Sequence, residues 1–292
     1  YKKFINMNKK ILIIGASGLI GSSLFKYFLT KKDIFVFGTI RSPEALKLQS
    51  NFDNSKLFTG VDLENKNDLE KIFDKVLPDV VINCAGITSG SKEIENYYRV
   101  IALNSLLPHY LSNLSARYKA RLIQISTDCV FSGSKGNYVE DDYPDALHLY
   151  GRSKSLGEIT YLNAITLRTS AVGHEVNTSR GLVDWFLSQK GTVEGYKNSI
   201  FSGLTTIEIG RVIYEYILFN SNLVGLYHLS ADAISKYDLL LLIKGIYNKN
   251  INIMPDYKEV INRSLDSSSF QKATGFLPKS WPLMIKEMKS FG

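Results

Sequence analysis

The chain has 292 residues, 45% of them hydrophobic, and 35 Lys and Arg outnumber 28 Asp and Glu for a net charge of +7. That length can bury the core of one large or two modest domains, and basic residues this scattered suit a phosphate-bearing ligand or a plain solvated surface rather than nucleic acid. Two cysteines, Cys84 and Cys129, are too few for a disulfide framework, and no stretch reaches the roughly 18 apolar residues that cross a bilayer, so a cytoplasmic protein is expected, without membrane or nucleic-acid partners.

In chain order, the polar opening "YKKFINMNKK" lacks an apolar signal core, and Met7 marks the expected natural start. "KILIIG" (10–15), "IFVFGTI" (34–40), "KLFTG" (56–60), "DVVINCAG" (79–86), "RLIQIS" (121–126) and "AITLRTS" (164–170) read as strands. Helical patterns lie between them: "LIGSSLFKYFLT", "NDLEKIFDKV", "YYRVIALNSLLPHYLSNLS" and "YGRSKSLGEITYL". Near-continuous apolar strands are buried on both faces, and intervening helices make parallel crossovers. The sequence therefore predicts an α/β doubly wound parallel sheet, a Rossmann domain over 7–170. A smaller substrate lobe, 171–292, follows. It holds helices at 181–189, 205–219, 236–247 and 281–290, the run "INIMP", and a strand "GLYHLS" (225–230) that returns to the main sheet. The two parts are expected to interleave around 199–230.

Gly15, Gly18 and Gly21 form a G-x-x-G-x-x-G array between the first strand and the first helix. Such glycines allow a tight turn, close approach of backbone to a pyrophosphate, and packing of helix on strand. The helix N-terminus adds positive partial charge for phosphate. Gly15, Ser17, Gly18, Leu19, Ile20 and Gly21 are therefore expected at a dinucleotide. Twenty residues beyond Gly21 stands Arg41, with no acid before Glu44. An acid there would hold the ribose of NAD, whereas an arginine accommodates a 2′-phosphate, so NADP is the expected cofactor. A solvated strand-end arginine is the competing reading.

Tyr150 and Lys154 are four apart, one above the other if helical. Alone, such a pair is an ordinary solvated surface. Here it follows "STDCVFSG", whose Thr127 closes the fifth strand at the carboxyl edge where doubly wound sheets bind ligands. A phenol beside an ammonium is a plausible proton donor. The four histidines, 109, 148, 174 and 228, have no paired ligand spacing, so no essential metal is expected.

"GASGLIG" (15–21), "NCAG" (83–86), "ALNSLLP" (102–108), "STDCVFSG" (126–133), "YGRSK" (150–154) and "LRTS" (167–170) together resemble the extended short-chain dehydrogenase/reductases. Within them the chain is most similar to the dTDP-4-dehydrorhamnose reductase branch, which acts on nucleotide-linked 4-keto-6-deoxy sugars. The likeness is strong over 10–170 and weak beyond, where "RSLDSSSF" (263–270) looks like a substrate-lobe segment. It implies Tyr150 as the acid at the sugar oxygen, Thr127 bonded to the same oxygen, and Lys154 holding the nicotinamide ribose and lowering the phenol's pKa. Asp62 would meet the adenine with Leu63 beside it. Cys84, Ala85 and Gly86 would line the cofactor groove, and Asn104 would order the active-site helix or a water. Thr127, Asp128, Val130, Phe131, His174 and Arg263 are the expected substrate contacts, and "GYKNSIFSGLTT" (195–206) and Glu175 adjoin them.

The pattern also departs from the branch. Ala171 replaces the tryptophan usual after "LRTS", which leaves the sugar open. Cys129 stands where 4,6-dehydratases carry glutamate, so dehydration is disfavoured, and a small buried hydrophobe is the expected role of that thiol. The leading expectation is an NADPH-dependent reductase of a nucleotide-linked 4-keto-6-deoxy sugar. An epimerase with tightly bound NAD and a non-catalytic NADP-binding regulatory subunit, like the methionine adenosyltransferase β subunit, are the alternatives. A homodimer is left open.

Overall fold

The computed structural model describes residues 8–42, 54–175 and 181–292; residues 1–6 and Glu44, singled out above, lie outside them. Seven parallel strands form the central sheet in the order Gly225–His228, Ala164–Thr169, Arg121–Thr127, Val80–Asn83, Lys9–Ile14, Ile34–Thr39, Leu57–Phe58. The register sets Ile11 between Val36 and Val80. Ile11 and Ile13 pack into one core, while Leu12 and Ile14 pack into a second on the other face. Alternation of side chains along a strand thus explains why this run is apolar at every position. Each fully buried side chain of this size contributes about 1.5–3 kcal/mol of transfer free energy.

The helices Lys66–Val76 and Leu107–Arg117 cover one face; Leu19–Leu29 and Thr206–Val212 cover the other. Strand order reverses beside Lys9–Ile14, which opens a crevice at the carboxyl ends of the strands. The returning strand pairs parallel with Ala164–Thr169, as its sequence suggested.

Two departures from simple periodicity bear on the site. The long predicted helix over 97–115 carries a π turn, Ala102–Leu106, between α-helices Tyr97–Ile101 and Leu107–Arg117. Pro108 has no N–H to give the Asn104 carbonyl, and the ladder widens so that Leu107 N donates to Ala102 O. In the second half, short strands were not legible in sequence: Thr192–Tyr196 pairs with Asn252–Asp256, and Ser199–Phe201 lies between Ile234–Ser235 and Ile261–Asn262.

Candidate active site

The glycine turn closes on itself. Gly15 adopts φ +82°, and a Cβ on Gly21 would stand 2.2 Å from Gly15 O, so helix and strand touch backbone to backbone there. Gly15 N donates to Thr39 Oγ1 at 3.1 Å, which ties the turn to the second strand. Gly18 caps the helix Leu19–Leu29 without any side-chain hydrogen bond, and its first turn has no acid. The amide end of an eleven-residue helix therefore faces a groove of about 630 Å³. A dinucleotide's pyrophosphate fits this end electrostatically, and the groove is of cofactor size.

Gly15, Ser17, Gly18, Leu19, Arg41, Asp62, Leu63, Cys84, Ala85 and Gly86 all line that groove. Ile20 and Gly21 sit in the helix behind its mouth. Asn104 is fully buried and does not reach the groove lining: its Oδ1 accepts from Ile87 N at 2.8 Å, and its Nδ2 donates to Ile87 O and to Ser153 Oγ. It clamps the groove wall to the helix Leu149–Leu156, so it acts on the cofactor side as a brace rather than a contact. Glu93, Arg99 and Glu175 are also among the lining residues. Neither Glu93 nor Arg99 belonged to a motif, so nothing in the sequence singled them out.

The helix Leu149–Leu156 brings Tyr150 and Lys154 to the end of strand Arg121–Thr127. His148 caps it, accepting from Gly151 N at 3.0 Å, and Gly151 packs so close that a Cβ would meet Cys129 O at 2.1 Å. Tyr150 is half-buried, beside Thr127, Asp128 and Cys129. Thr127 accepts from Cys129 N and donates to Asp128 Oδ1 at 3.1 Å. Burial first, and Cys129 and Asp128 beside it, raise the Tyr150 hydroxyl above its ordinary pKa, Thr127 offsetting part of this.

Lys154 does not depress the phenol as expected. Its ammonium donates to Ile125 O at 2.7 Å, and Glu158 is its charged neighbour, with the Cys84 thiol nearby. Burial lowers Lys154 to about 8, against the pull of Glu158. Glu158 is itself fixed by Ser126 and a buried Arg168. A Cβ on Gly86 would lie 3.9 Å from Lys154 Nζ, which puts the ammonium just behind the groove floor. Both thiols are pushed up to about 12 by burial and are therefore poor nucleophiles.

A second pocket, about 190 Å³, opens just beyond the carboxyl ends of strands Arg121–Thr127 and Ala164–Thr169. Asp128, Cys129, Ala171, Ser199, Lys236 and Arg263 are among its walls. Arg263 donates Nε to Phe131 O at 2.9 Å and opposes the burial that raises Asp128. Ser199 lies within the run 195–206 expected beside the substrate, whereas Lys236 was not foreseen as lining, since pieces this far apart in sequence carry no shared motif.

Three expected substrate contacts are corrected. Val130 and Phe131 are fully buried; the Phe131 ring stacks on Tyr138 at 4.1 Å with the Arg168 guanidinium 5.0 Å from its centroid. Both are core residues because the turn Asp128–Val130 points them inward. His174 lines neither pocket. Its Nδ1 pairs with Asp184 and its Nε2 with Tyr247, each at 2.7 Å, so both ring nitrogens are committed to fastening helices Leu182–Ser188 and Lys236–Tyr247.

A parallel sheet with a glycine-turn groove and a Tyr-x-x-x-Lys helix at its mouth defines the class: a Rossmann-type, dinucleotide-dependent oxidoreductase. The family model for the RmlD substrate binding domain matches residues 9–289, and the chain belongs to that family. It is 27% identical to the dTDP-4-dehydrorhamnose reductase of Aggregatibacter actinomycetemcomitans, over 97% of this chain and 99% of that protein. It is also 27% identical to the spore coat polysaccharide biosynthesis protein SpsK of Bacillus subtilis, over 95% and 96% respectively. The dTDP-4-dehydrorhamnose reductase of Bacillus anthracis, solved in complex with NADP, superposes with a TM-score of 0.79 at 21% identity, covering 97% of this chain and 99% of the other. That likeness shows the fold. Among the described residues no helix is long and apolar enough to cross a membrane.

Proposed function

We propose that this protein is an NADPH-dependent reductase of a nucleotide-linked 4-keto-6-deoxy sugar. The observation that carries it is the placement of Tyr150 beside Thr127 at the carboxyl end of strand Arg121–Thr127, with the Lys154 ammonium just behind Gly86 of the cofactor groove. In this reading residues 7–170 hold the cofactor and 171–292 form the substrate lobe, interleaved through 199–230. The family and the full-length likeness to a dTDP-4-dehydrorhamnose reductase support it.

When bound, the nicotinamide supplies the hydride. The chain's own residues do the rest. Tyr150 gives its proton to the sugar oxygen as the carbonyl becomes an alcohol, and its raised pKa keeps that proton in place at neutral pH. Thr127 hydrogen-bonds the same oxygen and aligns it. Lys154, behind Gly86, would hold the nicotinamide ribose. The helix amides at Gly18 would take the pyrophosphate and Asp62 the adenosine, while Arg263 and Lys236 face the sugar nucleotide. We place the enzyme in the cytoplasm, where two free thiols stay reduced.

The test is NADPH consumption against dTDP-, UDP-, GDP- and CDP-linked 4-keto-6-deoxy sugars, with NADH in parallel. Oxidation with at least one of them, faster with NADPH, is expected. Stoichiometric NAD⁺ retained through purification would instead mark an epimerase, and no oxidation with any sugar a regulatory protein.

A further inference from the structure

Arg41 is not alone at the groove mouth. Its Nη1 pairs with Glu93 Oε1 at 2.7 Å, and the other carboxylate oxygen, Glu93 Oε2, pairs with Arg99 Nη1 at 2.8 Å. Glu64 holds Arg99 from behind, through Nε at 2.9 Å. Arg41 ends the second strand, whereas Glu93 and Arg99 follow the fourth, so this chain of charges spans the groove from wall to wall. Glu93 is placed by a 3₁₀ turn, Lys92–Glu95, whose cap Ser91 accepts from Glu93 N at 3.1 Å. Side-chain exposures of 30% for Glu93 and 31% for Arg99 set them apart from free surface ion pairs, although Arg41 itself is 64% exposed.

We propose that Arg41 and Arg99 form a two-armed clamp for the adenosine 2′-phosphate, and that Glu93, which bridges the arms, sets how strongly the site prefers the phosphorylated cofactor. The inference rests on the reading of Arg41 as the NADP determinant and extends it to two residues outside every motif. A phosphate dianion offers enough oxygens to pair with both guanidiniums, as the Glu93 carboxylate does now. To enter, it must displace that carboxylate. The same carboxylate favours the unphosphorylated cofactor. The Glu93 side chain is partly exposed at the groove lining, where a ribose hydroxyl can donate to its carboxylate. An acid at the end of the second strand does this in NAD-binding sheets; here the acid reaches the same mouth from the loop beyond the fourth strand. Glu93 therefore opposes a 2′-phosphate and welcomes a 2′-hydroxyl.

Dissociation constants for NADPH and NADH, read by nucleotide fluorescence in the wild type, Glu93→Gln, Arg99→Gln and Arg41→Gln, test this. Adenosine 2′,5′-bisphosphate is the competing probe for the phosphate subsite alone. Glu93→Gln should shift the NADPH-to-NADH preference about tenfold toward NADPH, the scale of one charge-assisted contact. Arg99→Gln should shift it about as far the other way, weaken the bisphosphate in parallel, and leave NADH within about twofold. If Arg41→Gln lowers the preference while both other variants leave it unchanged, the clamp is refuted and the NADP reading survives. If Arg41→Gln changes nothing either, the NADP reading falls and the clamp with it. Equal loss of NADPH and NADH in Arg99→Gln would show a merely structural ion pair and also refute the clamp.

Discussion

The cofactor groove and the second pocket both open at the carboxyl ends of the sheet strands yet are made of different material. The groove is largely backbone: a turn that only glycines can close, an uncapped helix end, and a floor at Ala85 and Gly86. The pocket is made of side chains from four separated segments, around Asp128, Ala171, Ser199 and Arg263, with Leu182 and Lys236 from two more. Backbone geometry is written in local spacing. Side-chain direction in a pocket is not, and it depends on pairings such as Ser199–Phe201 with Ile261–Asn262.

The sharpest way to break this contrast is Phe131→Ala. A ring buried between Tyr138 and Arg168 should cost about 3–5 kcal/mol on truncation, seen as a lower midpoint in urea unfolding. A raised KM with unchanged stability would return Phe131 to the pocket. On the cofactor side, Gly21→Ala sets a Cβ 2.2 Å from a carbonyl oxygen. It should cost about 1–3 kcal/mol through overpacking and weaken NADPH binding in fluorescence titration, because the turn must open. Binding at wild-type strength would show that the turn does not shape the groove.

Arg263 and His174 form a matched pair within the substrate lobe. Arg263→Ala should raise KM for the sugar nucleotide about tenfold, one lost charge-assisted contact. His174→Ala should leave KM alone and lower stability by about 1–3 kcal/mol, because Asp184 and Tyr247 lose their partner. Steady-state kinetics beside thermal melts separates the two, and a KM effect in His174→Ala would reverse the correction made above.

Lys154 gives an effect that is signed and confined to a pH window. Its folded value of about 8 lies below the ordinary 10.5. The unfolded chain therefore binds that proton more tightly between the two values, and stability from this group rises as pH climbs from about 8 toward 10.5. Denaturation of wild type and Lys154→Met across that window should show the rise only in the wild type. Parallel curves would mean that the ammonium is not desolvated.

Much of the fold was legible because burial on both faces leaves a mark at every position: Ile11 to Ile14 alternate between two cores and are all apolar. The returning strand Gly225–His228, a partly exposed edge strand, was legible from its short apolar run instead. The small sheets were not, since two- and three-residue strands take their form from partners remote in sequence. Within the site, the glycines, Thr127, Tyr150 and Lys154 were readable from spacing. Val130 and Phe131 were misread because adjacency to Thr127 does not tell which way a 3₁₀ turn points its side chains. The helix that carries Lys154 was legible, but sequence cannot show that Ile125 O takes its ammonium.

The most direct measurement is single-turnover oxidation of enzyme-bound NADPH by an accepted sugar nucleotide, in the wild type and in Tyr150→Phe, with NADPH affinity measured on the same samples. Loss of the acid should slow the turnover by about 10²–10⁴ while NADPH binds as before. Turnover at the wild-type rate in the variant would contradict the assignment of Tyr150 as proton donor.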